Sequence, residues 1–576
     1  MDNVKREAGP DREVPSLGRR DLMKLGVGAG VAMAIPTSAV AAAQQGEATP
    51  AQSGAAAAPR AAERPQSMEP TGPLQAVPMV QQWPAIAESG EVVTSTTAGY
   101  TTHTGAGWVN NSGRHSGNGP MDEVTRRLVE FTANFSEAKM TPSVITALNY
   151  LMPDFLACFF SGFETDPGRA AARLSQRYAM SGDFKATLFG YGITTTPEMA
   201  AFANGGMGRH SDYDDHNSIL VCSCVAMGEA LHSTGAQVLQ AMAIAYEVRA
   251  GLGGGYDSPG HVEFDDWSIA PAVACAAGHL MGLNEDYLAN AVSLALLPHM
   301  PLYSRIGTQS MWKGFHSAEQ GRNGVFAALI ARDGMTGPCM PFEGRDGLIA
   351  HIGPFTRDPK FPASADGKLA IETGHGMGRG GYKRFATEGT TQTYHGSILP
   401  PLREWAKPEE IASMELENTY YSWQEICDPP KWDPRNRETA DHSFPYNIAR
   451  SILDGYIYFD SFAKEKYMDP KARELMAKLT VRPNPAPGFS NISLKVRKNS
   501  GEEKVFTAKP EAPFANDEII AKYKRSADFF KIGPSDQILK AWMNLHDLKD
   551  IGEAVAVASK FGNPKPLSDM SPARIS

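Results

Sequence analysis

The sequence predicts a mainly α protein, a large all-helical domain joined to a smaller α/β lid domain. Three observations carry this expectation. Long apolar segments rich in Ala and Gly recur at 219–231, 236–250, 269–283, 287–297 and 321–333, separated by short turns. A helix that is apolar on most sides belongs in the interior of a bundle, and small residues let its neighbours approach closely. Beyond Lys383 the texture changes to alternating, β-branched stretches mixed with helical ones. The chain is also long enough for both parts: 576 residues with 42% hydrophobic and 21% charged residues leave room for a sizeable core and exclude collagen-like, mucin-like and wholly disordered classes.

Residues 1–43 read as an address. Arg19-Arg20-Asp21-Leu22-Met23-Lys24 precedes a modest apolar run, and small residues follow around Ala39-Val40-Ala41. The run is broken by Gly26, Gly28, Gly30 and Pro36 and falls short of the roughly 20 apolar residues that span a bilayer. It is similar to a twin-arginine export signal. The expectation is a periplasmic protein that meets the twin-arginine translocase during export and keeps no stable membrane anchor. Residues 44–120 follow as a linker and N-terminal arm; from 44 to 75 they are rich in Ala, Pro, Gln and Glu, too poor in large aliphatic side chains to offset ordering entropy.

The helical domain is expected over residues 121–382. Its first periodic segments contain Val124, Leu128, Val129 and Phe131, then Val144, Ile145, Leu148 and Leu151. The α/β lid is expected over 383–520. Residues 414–420 and 479–481 read as strands, and Ile492, Leu494 and Val496 alternate before Asn499-Ser500-Gly501 turns the chain into 504–507 as a hairpin. Helices are expected at about 447–464, 470–477 and 516–530. The tail, 521–576, carries helical stretches at 538–545 and 552–560 that return to the helical domain.

A net charge of −9 offers no global basic field for nucleic acid, so an anionic ligand must be met by a local basic pocket. The six cysteines, Cys158, Cys222, Cys224, Cys275, Cys339 and Cys427, contain no C-x-x-C pair for zinc or redox chemistry, and most of them read as small buried hydrophobes. The segment 376–381 fits G-x-G-x-x-G, but neither a preceding strand nor a βαβ unit accompanies it, which rejects a dinucleotide site.

Four polar clusters stand out. The densest, residues 204–217, places Asp212, Asp214, Asp215, His210 and His216 ahead of an apolar helix, where they are costly to desolvate unless they bind something or pair with one another. Helix capping, a hard-metal site and an active-site wall all fit that cluster. Lys313, beside Trp312 and Phe315, either snorkels or lines a site. Lys383 and Arg384 lie at the boundary between the two domains, where adjacent cations suit a di- or tricarboxylate or form a solvated surface pair. His442 and Tyr446 lie four apart at a helix start, either as a hydrogen-bonded turn or as functional groups. Together the clusters supply an imidazole for proton transfer near neutral pH, cations for carboxylates or an enolate-like intermediate, and acids for a leaving group.

In this order, Asp212-Tyr213-Asp214-Asp215, Met311-Trp312-Lys313-Gly314 with 322–328, residues 334–338, Lys383-Arg384-Phe385 and 439–446 (Thr-Ala-Asp-His-Ser-Phe-Pro-Tyr) resemble the motifs of the MmgE/PrpD family over roughly residues 120–565. That family includes 2-methylcitrate dehydratase, cis-aconitate decarboxylase and iminodisuccinate epimerase. The resemblance implies a helical domain with an α/β lid, a site between them, a homodimer, and proton handling next to a carboxylate without metal or organic cofactor. It assigns Asp212, Lys313, Lys383, His442 and Tyr446 to the substrate's surroundings and Arg384 to the lid-entry motif. Glu388 stands where dehydratase-like members carry Glu and the decarboxylase carries His, which tilts the expectation away from decarboxylation.

Two departures from the family pattern bear on the base. The chain runs from Asp215 through His216 directly into the helix, without the later His-Pro histidine, and a second family histidine is replaced by Phe264-Asp265-Asp266-Trp267 with His261 nearby. His216 or His261 then takes the proton-transfer role, and Trp267 reshapes the pocket. The expected function is a cofactor-independent lyase or isomerase acting by α-proton abstraction on a small carboxylated substrate. The alternatives are a carboxylate-binding protein without turnover and a metal-dependent hydrolase built on Asp212 and His216.

Overall fold

The computed structural model describes residues 96–97, 100–101, 121–214, 216–253, 266–302, 307–345, 347–353, 355, 358–364, 366–373, 382–484, 491–510, 512–561 and 564–567. The leader, His261, Asp215 and the glycine-rich 374–381 lie outside these residues. The described chain is mainly α-helical with small sheets.

After a two-residue antiparallel pair, β1 (Thr96–Thr97) with β2 (Tyr100–Thr101), the chain enters α1 (Glu123–Ala133), α2 (Pro142–Gly162) and α3 (Asp166–Gln176). Each of the three opens on a side-chain cap, Asp122, Thr141 and Thr165, accepting from the amide three residues on. A short hairpin, β3 (Ala186–Leu188) with β4 (Ile193–Thr195), interrupts the expected all-helical run. Its three-residue strands are too short to register as periodicity.

Then come α4 (Pro197–Arg209), α5 (Asn217–Ala230), α6 (Gly235–Gly253), α7 (Ile269–Leu280), α8 (Glu285–Leu296) and α9 (His316–Arg332), which pack on one another around a core with Leu148, Met152, Phe155, Met207, Ile244 and Val273 fully buried. The small residues earn their place by contact: a Cβ on Gly206 of α4 would lie 2.2 Å from the Phe315 ring. Helix α2 is long and apolar enough to cross a membrane, yet it is mostly buried in this core.

A second core gathers α12 (Leu399–Trp405), α13 (Tyr420–Ile426), α14 (Arg437–Asp441), α15 (Phe444–Asp454), α16 (Lys464–Tyr467) and α17 (Pro470–Ala477) against a four-stranded sheet; the short α10 (Leu348–Ile352) and α11 (Ala370–Thr373) precede it. Strand order is β6 (Leu479–Asn484), β5 (Ile411–Thr419), β7 (Ser493–Lys498), β8 (Glu503–Thr507). Strands β5 and β6 are parallel, joined by the helical crossover that parallel pairing requires, and the rest are antiparallel. Leu416 pairs with Val481 and Leu494, and the buried Leu494 faces Phe506 across the hairpin. The helix expected to reach 464 stops at Asp454, because Gly455 takes a left-handed φ of 86° and closes it. Tyr420, expected in a strand, starts α13, whose cap is Thr419 accepting from the Ser422 amide.

The final helices, α18 (Asn516–Phe529), α19 (Ser535–Trp542) and α20 (Gly552–Ala558), pack on α2 and on each other, with Tyr523, Trp542, Leu545 and Phe561 buried in the first core. A third cluster sits where these parts meet: Cys158 and Tyr213 from the first helices, Ala386 just past Lys383, Tyr458 and Phe459 from the second core, and Phe530 from the tail.

Candidate active site

Helix α4 ends at Arg209, and the turn to α5 is left-handed twice at non-glycine residues, at Asp212 with φ 56° and His216 with φ 67°. Such conformations persist where the surroundings over-determine them, and they gather at functional sites. Arg209 Nη1 donates to Asp212 Oδ1, which also accepts from Lys383 Nζ at 2.9 Å. Lys383 reaches this turn because Tyr382 forms an isolated antiparallel bridge with Asp214. Lys313 lies on the short turn Met311–Gly314 before α9, and its Nζ is 3.8 Å from Asp212 Oδ2. Gly314 allows that approach, since a Cβ there would stand 2.7 Å from the His210 Cα.

From the second core, α14 delivers Asp441 as its last residue and His442 as its C-cap. Lys313 Nζ donates to Asp441 Oδ1 at 2.8 Å, and Arg437 Nη1 donates to Asp441 Oδ2 at 3.2 Å. His442 Nδ1 lies 2.7 Å from Asp441 Oδ1 and 3.7 Å from Asp212 Oδ2. Residues more than two hundred positions apart thus form one cluster: the buried carboxylates Asp212 and Asp441, the buried cations Arg209, Lys313 and Lys383, the buried imidazole of His442, and the partly exposed Arg437.

Electrostatics fix the protonation states. Burial alone would raise the Asp212 carboxyl, but Arg209, Lys313, Lys383 and His442 outweigh it and hold it well below the ordinary value. Asp441 is likewise depressed, burial being overcome chiefly by Lys313 and His442. Burial and the neighbouring Lys313 push His442 down to about 3, against the pull of Asp212 and Asp441, so the ring is neutral at pH 7. A carboxylate only accepts, so Nδ1 carries the proton and Nε2 offers a lone pair. Among the described residues that Nε2 has no hydrogen-bond partner. Burial and Arg209 lower Lys313 below its usual range despite Asp212 and Asp441.

Glu388 caps the turn after Lys383, accepting from the Thr390 amide at 2.7 Å. Burial and the nearby Glu425 raise it to about 7, so it carries a proton for part of the population at neutral pH. Two further acids and two cations of the cluster region, Asp441, Asp266, Arg209 and Arg437, are not singled out by sequence. Asp441 and Arg437 stand in the same stretch as His442, and adjacency to a candidate histidine was the available signal. Asp266 lies beside Trp267, in the stretch the sequence analysis expects to stand where the family carries a histidine.

His216 is brought beside the cluster, and both of its ring nitrogens face charged partners. Its Nδ1 pairs with Asp266 Oδ1, and its Nε2 lies 2.9 Å from Arg209 Nη2. A guanidinium only donates, so Nε2 accepts and both ring nitrogens are engaged. His216 therefore bridges Asp266 to Arg209, and Asp266 accepts in turn from Ser317 Oγ at 2.6 Å. Tyr446 stands apart: its hydroxyl donates to the Ser461 carbonyl within the second core, beside Phe462. Arg384 turns outward to Glu518, 3.0 Å away, and stacks over Phe514. Trp267 is buried in the first core against Phe355, and His261 is outside the described residues.

Ligand atoms of Asp212, Asp441 and His442 lie within 4.8 Å of one another, a spacing that a metal ion could use. Both carboxylates, however, already accept from ammonium or guanidinium groups. Four cations, Arg209, Lys313, Lys383 and Arg437, face Asp212 and Asp441, and Arg209 also lies 3.9 Å from Asp214 Oδ1.

Residues 126–357 match the model of the MmgE/PrpD N-terminal domain and residues 385–545 that of the MmgE/PrpD C-terminal domain. Cis-aconitate decarboxylase of Homo sapiens is 24% identical over 488 residues, covering 79% of this chain and 98% of the relative. The mouse protein of the same name, from Mus musculus, is 22% identical, covering 75% and 92%. A cis-aconitate decarboxylase-like protein of Aspergillus oryzae is 25% identical over 238 residues, 38% of this chain and 48% of the relative.

Proposed function

The chain belongs to the MmgE/PrpD family, and from that premise we propose that it is a lyase or isomerase that abstracts a proton α to a carboxylate of a small di- or tricarboxylate. The observation that carries the reading is the neutral His442 ring, its Nδ1 proton held by Asp441 and its Nε2 lone pair without a partner among the described residues, inside a cluster of four cations.

In this mechanism His442 Nε2 takes the α-proton. Asp441 keeps the tautomer fixed and stabilises the imidazolium, the division of labour known from Asp–His pairs. Lys383, Lys313 and Arg209 offset the charge that develops on the substrate carboxylate as it becomes enolate-like, a contribution that is large in a buried, pre-ordered site. Glu388, protonated in part near neutral pH, gives its proton to a departing β-hydroxyl. Where no leaving group is present, reprotonation at carbon gives epimerisation. The helical part and the smaller α/β lobe act as body and lid around this site, and the working unit is a homodimer.

A decarboxylase-type reading also has support, because the relatives above carry that name. The two differ in what leaves the substrate. Proton NMR in deuterium oxide on a panel of small polycarboxylates, with carbon dioxide assayed alongside, decides between them: deuterium at the α-carbon with every carboxylate retained, or loss of water, supports the first reading, and release of carbon dioxide the second. Binding with neither would sink both. Activity is expected to survive chelator, since the Asp212 and Asp441 carboxylates are already paired with cations.

The same proposal includes export. The twin-arginine leader directs the folded protein to the periplasm, where carboxylates other than cytoplasmic intermediates are met. Replacing Arg19 and Arg20 together by Lys is expected to retain the protein in the cytoplasm.

A further inference from the structure

Three cations distant in sequence grip three carbonyls of the turn between α4 and α5. Arg437 Nη1 donates to His210 O at 3.3 Å, Lys383 Nζ to Asp212 O at 3.2 Å and Lys522 Nζ to Tyr213 O at 2.6 Å. Arg437 and Lys383 also touch the carboxylates of the cluster. Lys522, from α18 of the tail, touches neither. Its remaining partners are Asp154 Oδ1 at 2.7 Å and the Tyr213 ring, whose centroid is 3.8 Å from Nζ.

A buried ammonium is costly, and burial works against its charge; Asp154 of α2 outweighs that and holds Lys522 above the ordinary lysine value. Tyr213 is held from the other side as well, edge-on to Phe459 at 5.2 Å and to Tyr458 at 5.9 Å. Its neighbours in sequence are Asp212, left-handed and bearing the carboxylate that Arg209 and Lys383 share, and Asp214, whose backbone is bridged to Tyr382 beside Lys383. Any movement of the Tyr213 peptide therefore moves Asp212 and Lys383 together.

We propose that Lys522 is a positioning residue: from the C-terminal helix it fixes the Tyr213 peptide, and through it sets where Asp212 and Lys383 stand relative to His442. The inference rests on the reading that this cluster is the active site. Lys522 transfers no proton to substrate and binds none of its atoms.

Removing Lys522 alone leaves Asp154 buried without this partner, so the test uses Lys522→Met together with Asp154→Asn. Two measurements on the full chain are made. Hydrogen exchange of the peptide spanning 210–216 is expected to speed up about tenfold or more, the usual scale for one lost charge-assisted hydrogen bond, while the centres of α5 and α6 stay protected. Turnover is expected to fall about a hundredfold, the scale of an ångström-sized misplacement, with KM changed about twofold or less. Wild-type exchange in that peptide, or wild-type kcat, overturns the proposal, as does an activity loss that tracks only a lowered Tm.

If the double variant does not fold, Lys522→Arg, which keeps the charge opposite Asp154, decides by the same two measurements: partial loss of protection and of kcat supports the proposal, and loss of neither overturns it. Should the wild-type protein turn over no polycarboxylate, the reading of function fails, while the exchange result still reports on the turn.

Discussion

His442 and Asp441 are neighbours in sequence and partners in space: the imidazole Nδ1 lies 2.7 Å from the carboxylate Oδ1, at the end of a five-residue helix. The dyad owes its state to its surroundings. Lys313 donates to the same carboxylate oxygen and opposes protonation of the ring, which keeps Nε2 available as an acceptor.

His442→Gln is expected to lower kcat by about a hundredfold to ten-thousandfold, the usual range for losing a general base. Stability should fall only modestly, because the Gln amide can still donate to Asp441 in place of Nδ1, and Nε2 has no described partner to lose. Steady-state kinetics beside a thermal melt checks both halves. Wild-type turnover would remove His442 from the mechanism.

Asp441→Asn is expected to be as damaging to turnover, for another reason. An amide can present its NH₂ to Nδ1 and so favour the wrong tautomer, the known effect at Asp–His pairs. Lys313 also loses an anionic partner. The pH at which His442 titrates, followed by NMR of the ring, is expected to move further down, since the Asp441 charge that raises it is gone; an unmoved titration counts against the dyad.

Glu388 sets the expected alkaline limb. Its folded value is raised to about 7 from 4.5, by burial first and Glu425 second. An acid raised on folding holds its proton more tightly in the native chain; the stability it contributes is complete below 4.5 and is lost as pH rises through about 7. Dehydration that needs the protonated acid should decline over the same rise. Glu388→Gln is expected to flatten both curves and to slow loss of the β-hydroxyl while leaving α-proton exchange in place, as read by pH-dependent denaturation and deuterium incorporation.

His216→Ala is expected to cost stability as well as turnover, about 3 kcal/mol on the scale of broken buried polar pairs. The ring bridges Asp266 and Arg209, and its loss leaves both with one partner fewer. Urea denaturation measures this. A stable variant with lost activity would restore the base role to His216.

His395→Leu is expected to stabilise the protein by about 1 kcal/mol. The ring sits in the wide turn Tyr394–Ile398, buried, with neither nitrogen partnered among the described residues, and burial lowers it to about 3. Because the unfolded imidazole titrates near 6.5, His395 adds a loss of stability to the wild type as pH falls below that value, and the variant lacks that share. The gap between their denaturation midpoints should widen toward acid pH.

Much of this protein could be read from its sequence. Apolar periodicity located the bundle helices, alternation around 492–507 located the hairpin, and charged clusters ahead of apolar helices drew attention to Asp212, Lys313, Lys383 and His442. These are local signals, set within one or two turns of chain, and they register which residue types must be buried or paired. The choice of partner is not local. Asp441 and Asp212 meet the same lysine across 229 positions, His216 spends both nitrogens on Arg209 and Asp266, Tyr446 gives its hydroxyl to a carbonyl, and Lys522 reaches back 309 residues to Tyr213. Hydrogen-bond geometry decides over tenths of an ångström, and only the packing of α4, α14 and α18 on one turn brings those atoms to that distance. The sequence determined which ionisable groups were available; tertiary packing decided how they pair and left the His442 Nε2 lone pair without a partner among the described residues.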